Sequence, residues 1–259
     1  MNLLIAPFVN ALFGFYYLLG NLGWSIIVVT VLIRLILLPL VIPSLKSADK
    51  MRLLQPKLKK LQEKYGKDKQ GLAKAQMDMY KQEGVNPLGG CLPQLLQIGV
   101  LIVFFSAFNM VTAYTTGKNN LAEINNQLIP SFQIKPDFKF QAYFLGSDLR
   151  NTPNKEFGLG KGLNLLLPIL MLLGSGVLQY FSSKMMMPNA KADENVVKET
   201  KDKEDDMMSA MRTQSMYMMP LMTIFIGWNF SLGILLYWFV NSAVMLGQQI
   251  AVAKLDTKK

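Results

Sequence analysis

Histidine is absent from this chain and cysteine occurs once, at Cys91. The usual zinc ligand sets are therefore missing, and no Ser–His–Asp or Cys–His pair can be built. A lone cysteine cannot close an intrachain disulfide. No phosphate-cradling P-loop signature occurs either. These absences point away from an enzyme and imply no metal and no cofactor. Charge is scarce as well. Of the 259 residues 17% are charged and 51% hydrophobic, against about 25% charged in an ordinary soluble domain. From Met1 to Ile33 there is no charged side chain at all. The N-terminus has neither the basic n-region of a secretory signal nor the Arg- and Ser-rich look of a transit peptide. The first helix is expected to serve as its own insertion signal.

What remains is apolar sequence in blocks long enough to cross a membrane, which takes about 20 residues per helix. The expected fold class is an all-α integral membrane protein. Four apolar blocks begin at Leu22, Leu92, Leu163 and Met216. The last, Met216–Val252, is too long for one crossing, and "WNFSLG" (Trp228–Gly233) is its natural turn. Five spans follow, at about 22–42, 92–112, 163–183, 216–230 and 232–252. The fourth is short: fifteen residues reach roughly 22 Å, less than the ~30 Å hydrocarbon core. Pro39 and Pro43 are read as the end of the first span. Residues 1–20, broken by Pro7, Asn10 and Gly14, are read as an N-terminal interfacial helix, because only Gly20 and Asn21 separate them from that span.

The net charge of +10 would suggest nucleic acid in a soluble protein. Here its placement suggests topology instead. Residues 44–88 carry eleven Lys or Arg and five acids, and the extracytoplasmic loop 113–162 carries six and four. The flexible cytoplasmic loop 184–215 holds six and seven, and the short basic tail 254–259 three and one. By the positive-inside rule the first loop is cytoplasmic, the N-terminus outside and the C-terminus cytoplasmic. No specific nucleic acid is implied. No internal repeat is visible, which counts against an inverted-repeat transporter.

One charge lies inside a span. Arg34 interrupts "GWSIIVVTVLIRLILLPL", and a guanidinium does not deprotonate in a protein. Insertion scales place such an arginine at ~2.5–3.5 kcal/mol unfavourable at the helix centre. It could snorkel to the cytoplasmic headgroups past Pro43, or it could line a polar cavity with Thr30, one turn away. Other spans favour the cavity. Cys91, Gln94 and Gln97 share a helix face, as do Ser175, Gln179 and Ser182, and Tyr237, Asn241 and Gln248. Each stripe taken singly also fits ordinary interhelical hydrogen bonding. No Asp or Glu lies within any span, so a proton relay or an acidic cation filter has nothing to work with. A fixed positive charge suits anionic groups.

In the first loop, Leu54, Leu58, Leu61 and Tyr65 form an apolar stripe on a helix with a lysine-rich outer face. "LAKAQMDMYKQEG" supplies a second helix, so residues 44–86 are read as a cytoplasmic helical hairpin at the membrane surface. Many of the 17 methionines fall between Met185 and Met222, where lipid-facing filler is the simpler reading and an adaptable surface the other.

The motifs "GWSIIVVTVLIRLILLPL", "KMRLLQPKLKKLQEKYG", "YKQEGVNPLGGCLPQLLQ", "LLPILM" with Gln179 following, and "LLYWFVNSAVMLGQQ" together resemble the YidC family of membrane protein insertases, within the YidC/Oxa/Alb superfamily. They occur in that family's order from about Asn21 to Ala253. Gly99 stands where the family often has proline. The resemblance implies a short bacterial form, without a large extracytoplasmic domain before the core, in the cell membrane. It implies a five-helix core (21–253) with a hydrophilic groove open to cytoplasm and lipid. It places Arg34, Thr30, Gln97, Gln179, Tyr237, Trp238 and Asn241 at groove positions. It assigns client recruitment to the hairpin, through Arg52, Leu54, Leu58, Leu61 and Tyr65. Implied partners are newly made membrane proteins and the bilayer, with a Sec-type translocon and the ribosome as further candidates. Relatives with long basic tails use them on ribosomes; "AKLDTKK" is short. From the residues alone, a small anion transporter or channel with Arg34 as its binding site remains the alternative.

Overall fold

The structure is a computed structural model that describes residues 2–66, 68–85, 92–115, 121–136, 138, 140–158, 166–186 and 214–256. The segment Asn86–Cys91, most of the loop 184–215 and the last three residues lie outside this set, as do the side chains of Arg52 and Gln94.

The chain is almost wholly helical. Helix α1 (Asn2–Leu19) stops at Gly20, whose φ of 66° suits a left-handed C-cap. Its N–H donates to the Tyr16 carbonyl at 2.8 Å. Asn21 then starts α2 (Leu22–Leu53): its Oδ1 accepts from the backbone N–H of Gly23 at 2.9 Å and of Trp24 at 3.3 Å.

The prolines do not end this helix, contrary to the expectation. Pro39 and Pro43 both lie inside α2, which runs on to Leu53. Each ring removes one N–H, the donors that would reach the carbonyls of Leu35 and Pro39, and the remaining backbone stays helical. Ser44–Leu53, expected as the start of a loop, is therefore a helical extension, roughly 16 Å past Ile42 at ~1.5 Å per residue. Val41 and Leu45 pin it against Val252 of the last helix.

Helices α3 (Gln55–Tyr65) and α4 (Lys69–Gln82) form the expected hairpin. Asp68 caps α4 by accepting from the Gly71 N–H at 3.0 Å. Leu54 and Leu58 are buried against Tyr80 and Val85, and Lys57 pairs with Glu83. Burial pushes the Tyr80 hydroxyl above its ordinary pKa.

Helices α5 (Leu92–Thr115) and α8 (Leu166–Met186) cross the apolar region. A π-helical turn (Gln214–Met218) leads into α9 (Met219–Gly227), and α10 (Leu232–Asp256) closes the chain after the turn at Trp228–Ser231. Among the described residues four helices are long and apolar enough to span a membrane: Leu22–Met51, Leu96–Ala113, Leu166–Met185 and Leu232–Lys254. The block Met216–Gly227 is apolar but shorter, as is Ile5–Leu19. Helix α10 packs on α2 and α8, α9 packs on α8, and α1 packs on α2 and α5. In the core, the Phe104 ring stacks on Tyr237, with centroids 4.2 Å apart and planes at 14°.

The described part of the long loop between α5 and α8 is folded. It holds α6 (Leu121–Asn125), a 3-10 turn (Pro130–Phe132), the antiparallel pair β1 (Tyr143–Phe144) and β2 (Ser147–Asp148), and α7 (Pro153–Gly158). It grips α1 at two places. Asn10 Nδ2 donates to the Gln127 carbonyl at 2.6 Å while its Oδ1 accepts from the Ile129 N–H at 2.8 Å. The Tyr16 hydroxyl accepts from the Gln141 N–H at 2.7 Å, and its ring stacks on Phe140 at 4.5 Å. The loop also satisfies the exposed donors that begin α10. The N–H groups of Leu232 and Gly233 donate to the carbonyls of Asn151 and Leu149, both at 2.8 Å. Between them lies the ion pair of Arg150 with Asp148, 2.6 Å apart. Burial alone would push the Asp148 carboxyl up, but the hydrogen bonds and charge of Arg150 outweigh it and hold the carboxyl below its usual range.

Gly233 sits where this junction is tightest: a methyl group there would overlap the Phe108 ring. Gly233→Ala is expected to destabilise the purified protein by about 1–3 kcal/mol, the usual range for overpacking. Thermal unfolding in detergent checks it, with Gly99→Ala, which meets nothing within 4 Å, as the neutral control.

Candidate functional site

Helix α2 places Thr30 and Arg34 one turn apart on its inner face, with relative exposures of 1% and 6%. Two other helices meet them there. From α10, Asn241 offers Oδ1 to the Arg34 Nε–H at 2.6 Å. From α5, Gln97 offers Oε1 to Arg34 Nη2. The Gln97 amide nitrogen reaches on to the Tyr237 hydroxyl at 3.5 Å. A fourth tie comes from Gln248 of α10, whose Nε2 donates to the backbone carbonyl of Arg34 at 3.1 Å. The guanidinium is thus held by neutral acceptors. Among the described residues no carboxylate pairs with it, whereas Lys57 pairs with Glu83 and Arg150 with Asp148 elsewhere.

These groups border a narrow cavity of about 10 Å³, which is lined by Thr30, Arg34, Gln97, Tyr237 and Asn241 on its polar side. Ile33, Leu37, Val41, Leu96 and Val100 supply the rest of its wall. That space suits about one water molecule. It is a narrow polar seam, not a trough wide enough for a polypeptide. Thr30 contributes little free polarity, since its hydroxyl donates to the Ile26 carbonyl of its own helix at 2.6 Å.

Five of the seven expected groove residues therefore come together: Arg34, Thr30, Gln97, Tyr237 and Asn241. Two do not. Gln179 lies between α8 and α9, where its Oε1 accepts from the Thr223 hydroxyl at 2.7 Å. Trp238 is half-buried beside Phe230, with ring centroids 6.2 Å apart, and is not among the cavity residues. The polar stripe on α8 does ordinary packing work. Ser175 donates to the Met171 carbonyl at 2.6 Å, and Ser182 donates to Gln249 Oε1 at 2.9 Å. Thr223 and Gln249 were not anticipated as partners. Thr223 stands alone in an apolar helix, and Gln249 is one position off the stripe of Tyr237, Asn241 and Gln248, so periodicity does not find either. In the hairpin, Leu54 and Leu58 are consumed by its own core, while Leu61 and Tyr65 are half-buried.

Residues 14–259 match the family described as 60Kd inner membrane protein. The chain belongs to this family, the YidC insertases. Its relatives include the membrane protein insertase YidC of Pelobacter propionicus, 30% identical over 250 residues, which are 96% of this chain and 38% of that protein. The protein of the same name from Streptomyces avermitilis is 31% identical over 239 residues, covering 90% of this chain and 51% of the relative. That of Fusobacterium nucleatum is 31% identical over 235 residues, 91% of this chain and 87% of the relative. The chain thus spans between about a third and a half of the length of the first two relatives, and most of the third. The family resemblance seen in the motifs is established, and the chain is a membrane protein of insertase kinship.

Asn241 is the most direct support of the buried charge. Asn241→Ala is expected to lower stability by about 1.5–3 kcal/mol, the value of a hydrogen bond to a charged group. Gln179→Ala, which breaks a neutral interhelical bond, is expected to lose only about 0.6 kcal/mol. Melting temperatures of the two variants in detergent compare them.

Proposed function

We propose that this protein inserts other proteins into the membrane, and that the Arg34 seam is the resting form of the site that receives their hydrophilic segments. One observation carries the reading: Arg34, a buried residue with 6% exposure, has neutral amides as its described side-chain partners. A carboxylate on an entering segment competes well for it, because ionised acceptors form shorter and stronger bonds than amides do. At ~4 Å and an effective dielectric near 20, the attraction is about 4 kcal/mol.

Entry requires α2, α5 and α10 to part, since the narrow cavity holds only about 10 Å³. The opened polar walls then replace part of the water around the client's backbone and side chains, which lowers the cost of carrying them to lipid depth. The client's apolar helix leaves into the bilayer, and its own transfer free energy drives the step. Membrane potential adds about 2.3 kcal/mol per charge per 100 mV for acidic segments moving outward. The lysine-rich face of the α3–α4 hairpin receives clients on the cytoplasmic side. The apolar stripe beneath it holds the hairpin together. The charge bias of the loops supports a cytoplasmic position for that side and an N-terminus outside.

The test is insertion of a client with an acidic translocated segment in a cell depleted of its own insertase. Arg34→Lys is expected to keep most activity. Arg34→Ala is expected to lose about tenfold, equivalent to ~1.4 kcal/mol, while a client with a neutral segment changes little. Full insertion of the acidic client by Arg34→Ala overturns the electrostatic role. Sealed liposomes containing the protein alone separate the rival class, because flux of small anions without any client would favour a transporter.

A further inference from the structure

The outer surface carries an apolar group that the insertase reading does not use. Strands β1 and β2 join through a two-residue turn, Leu145–Gly146, in which both residues have positive φ, 46° and 87°. Glycine, asparagine and aspartate fill such turns because they tolerate the left-handed backbone. Leucine does not, so Leu145 holds a strained position, and its side chain is 69% exposed. An aqueous turn would gain from a polar residue at this point.

Its neighbours have the same character. Tyr143 is 59% exposed and Trp24 is 51% exposed. Trp24 packs edge-on against Phe144 at 5.5 Å, and Asn21 Nδ2 donates to the Tyr143 carbonyl at 2.9 Å. No charged residue occurs from Gln141 to Ser147. The patch is also continuous with surface that faces lipid. Trp24 belongs to the first turn of α2, a helix long and apolar enough to span. The hairpin is tied to that turn by the Asn21 bond and by the Leu22 N–H, which donates to the Gln141 carbonyl at 3.4 Å. Its level along α2 is therefore fixed at the place where the apolar run begins. Tryptophan and tyrosine gather at this level of a bilayer, with an apolar body in the acyl region and a polar edge in the headgroups.

We propose that Leu145, Tyr143 and Trp24 form an anchor seated in the headgroup–acyl boundary of the leaflet where α2 begins. The occupant of this surface is the lipid bilayer itself. The strained leucine is retained because it enters lipid, where a polar turn residue would not. The anchor also sets depth. Arg34 lies twelve residues beyond Leu22, about 18 Å along the helix, so a hairpin held at one interface places the guanidinium near the middle of a ~30 Å core.

The experiment uses the full chain with Cys91→Ser, reconstituted in vesicles of phosphatidylethanolamine and phosphatidylglycerol. A polarity-sensitive fluorophore is attached at Leu145→Cys or, for comparison, at Asn154→Cys on the exposed face of α7. Quenching is measured with a nitroxide on the upper acyl chain and with aqueous iodide. The anchor predicts at least twofold stronger nitroxide quenching at position 145 than at 154, and at least twofold weaker iodide quenching. Equal behaviour at the two positions, or stronger iodide quenching at 145, overturns it. A second chain carries Leu145→Asn, which suits the backbone, with the fluorophore at Tyr143→Cys. Its nitroxide quenching is expected to fall by about half relative to the chain that keeps Leu145; unchanged quenching also overturns the anchor.

Discussion

Arg34 is a permanent positive charge inside the longest apolar helix of the molecule, and its surroundings answer the problem that it creates. It cannot shed its proton, and no described carboxylate neutralises it. Two helices distant in sequence bring amide oxygens instead, Gln97 from α5 and Asn241 from α10. The helix that carries the charge is fastened at the same point through its own backbone, where Gln248 reaches the Arg34 carbonyl. A carboxylate partner would have quenched the site. Amides accept from Nε and Nη2 while leaving the charge available, which is what the proposed reversible capture of an anionic segment requires.

The two ends of the bundle are built differently around that charge. At the end where α2 begins, the folded loop clasps α1 through Asn10 and Tyr16 and supplies carbonyls to the first N–H groups of α10. Gly233 packs closely on Phe108 at this end, and Phe13, Tyr16 and Phe140 form an aromatic cluster there. On the other side α2 continues as a single helix past Pro39 and Pro43 toward the hairpin. A second small cavity of about 30 Å³ lies there, between Leu45, Ala48 and Asp49 on α2 and Gln249 and Val252 on α10. That cavity lies at the end through which clients are proposed to enter.

Much of the site could be read from the chain because its signals were local. One charge in an apolar run, a threonine a turn away and polar residues at helical spacing on two other spans identified Arg34, Thr30, Gln97, Tyr237 and Asn241. The same rule could not say which neighbour Gln179 meets, and in the structure it meets Thr223. Trp238 came from the family pattern, and its ring turned toward Phe230. The prolines misled because a helix can continue through the loss of single N–H donors when the rest of its ladder holds. The hairpin stripe was visible as a pattern, but burial of Leu54 and Leu58 against Tyr80 and Val85 depends on how α4 folds back. The order in the loop between α5 and α8 was invisible. It arises from hydrogen bonds between residues more than a hundred positions apart, such as Asn10 with Ile129.

The central claim is that the narrow seam at Arg34 opens to take in polar client sequence. Photo-crosslinking from Ile33, a cavity-lining residue beside Arg34, to a stalled nascent client measures this most directly. The account predicts a crosslink to the client's hydrophilic segment that weakens severalfold when its acidic residues are made neutral, while a probe at Leu173, exposed on α8, shows no such charge dependence. Absence of any client crosslink from Ile33 during active insertion, with crosslinks formed at Leu173, would contradict it.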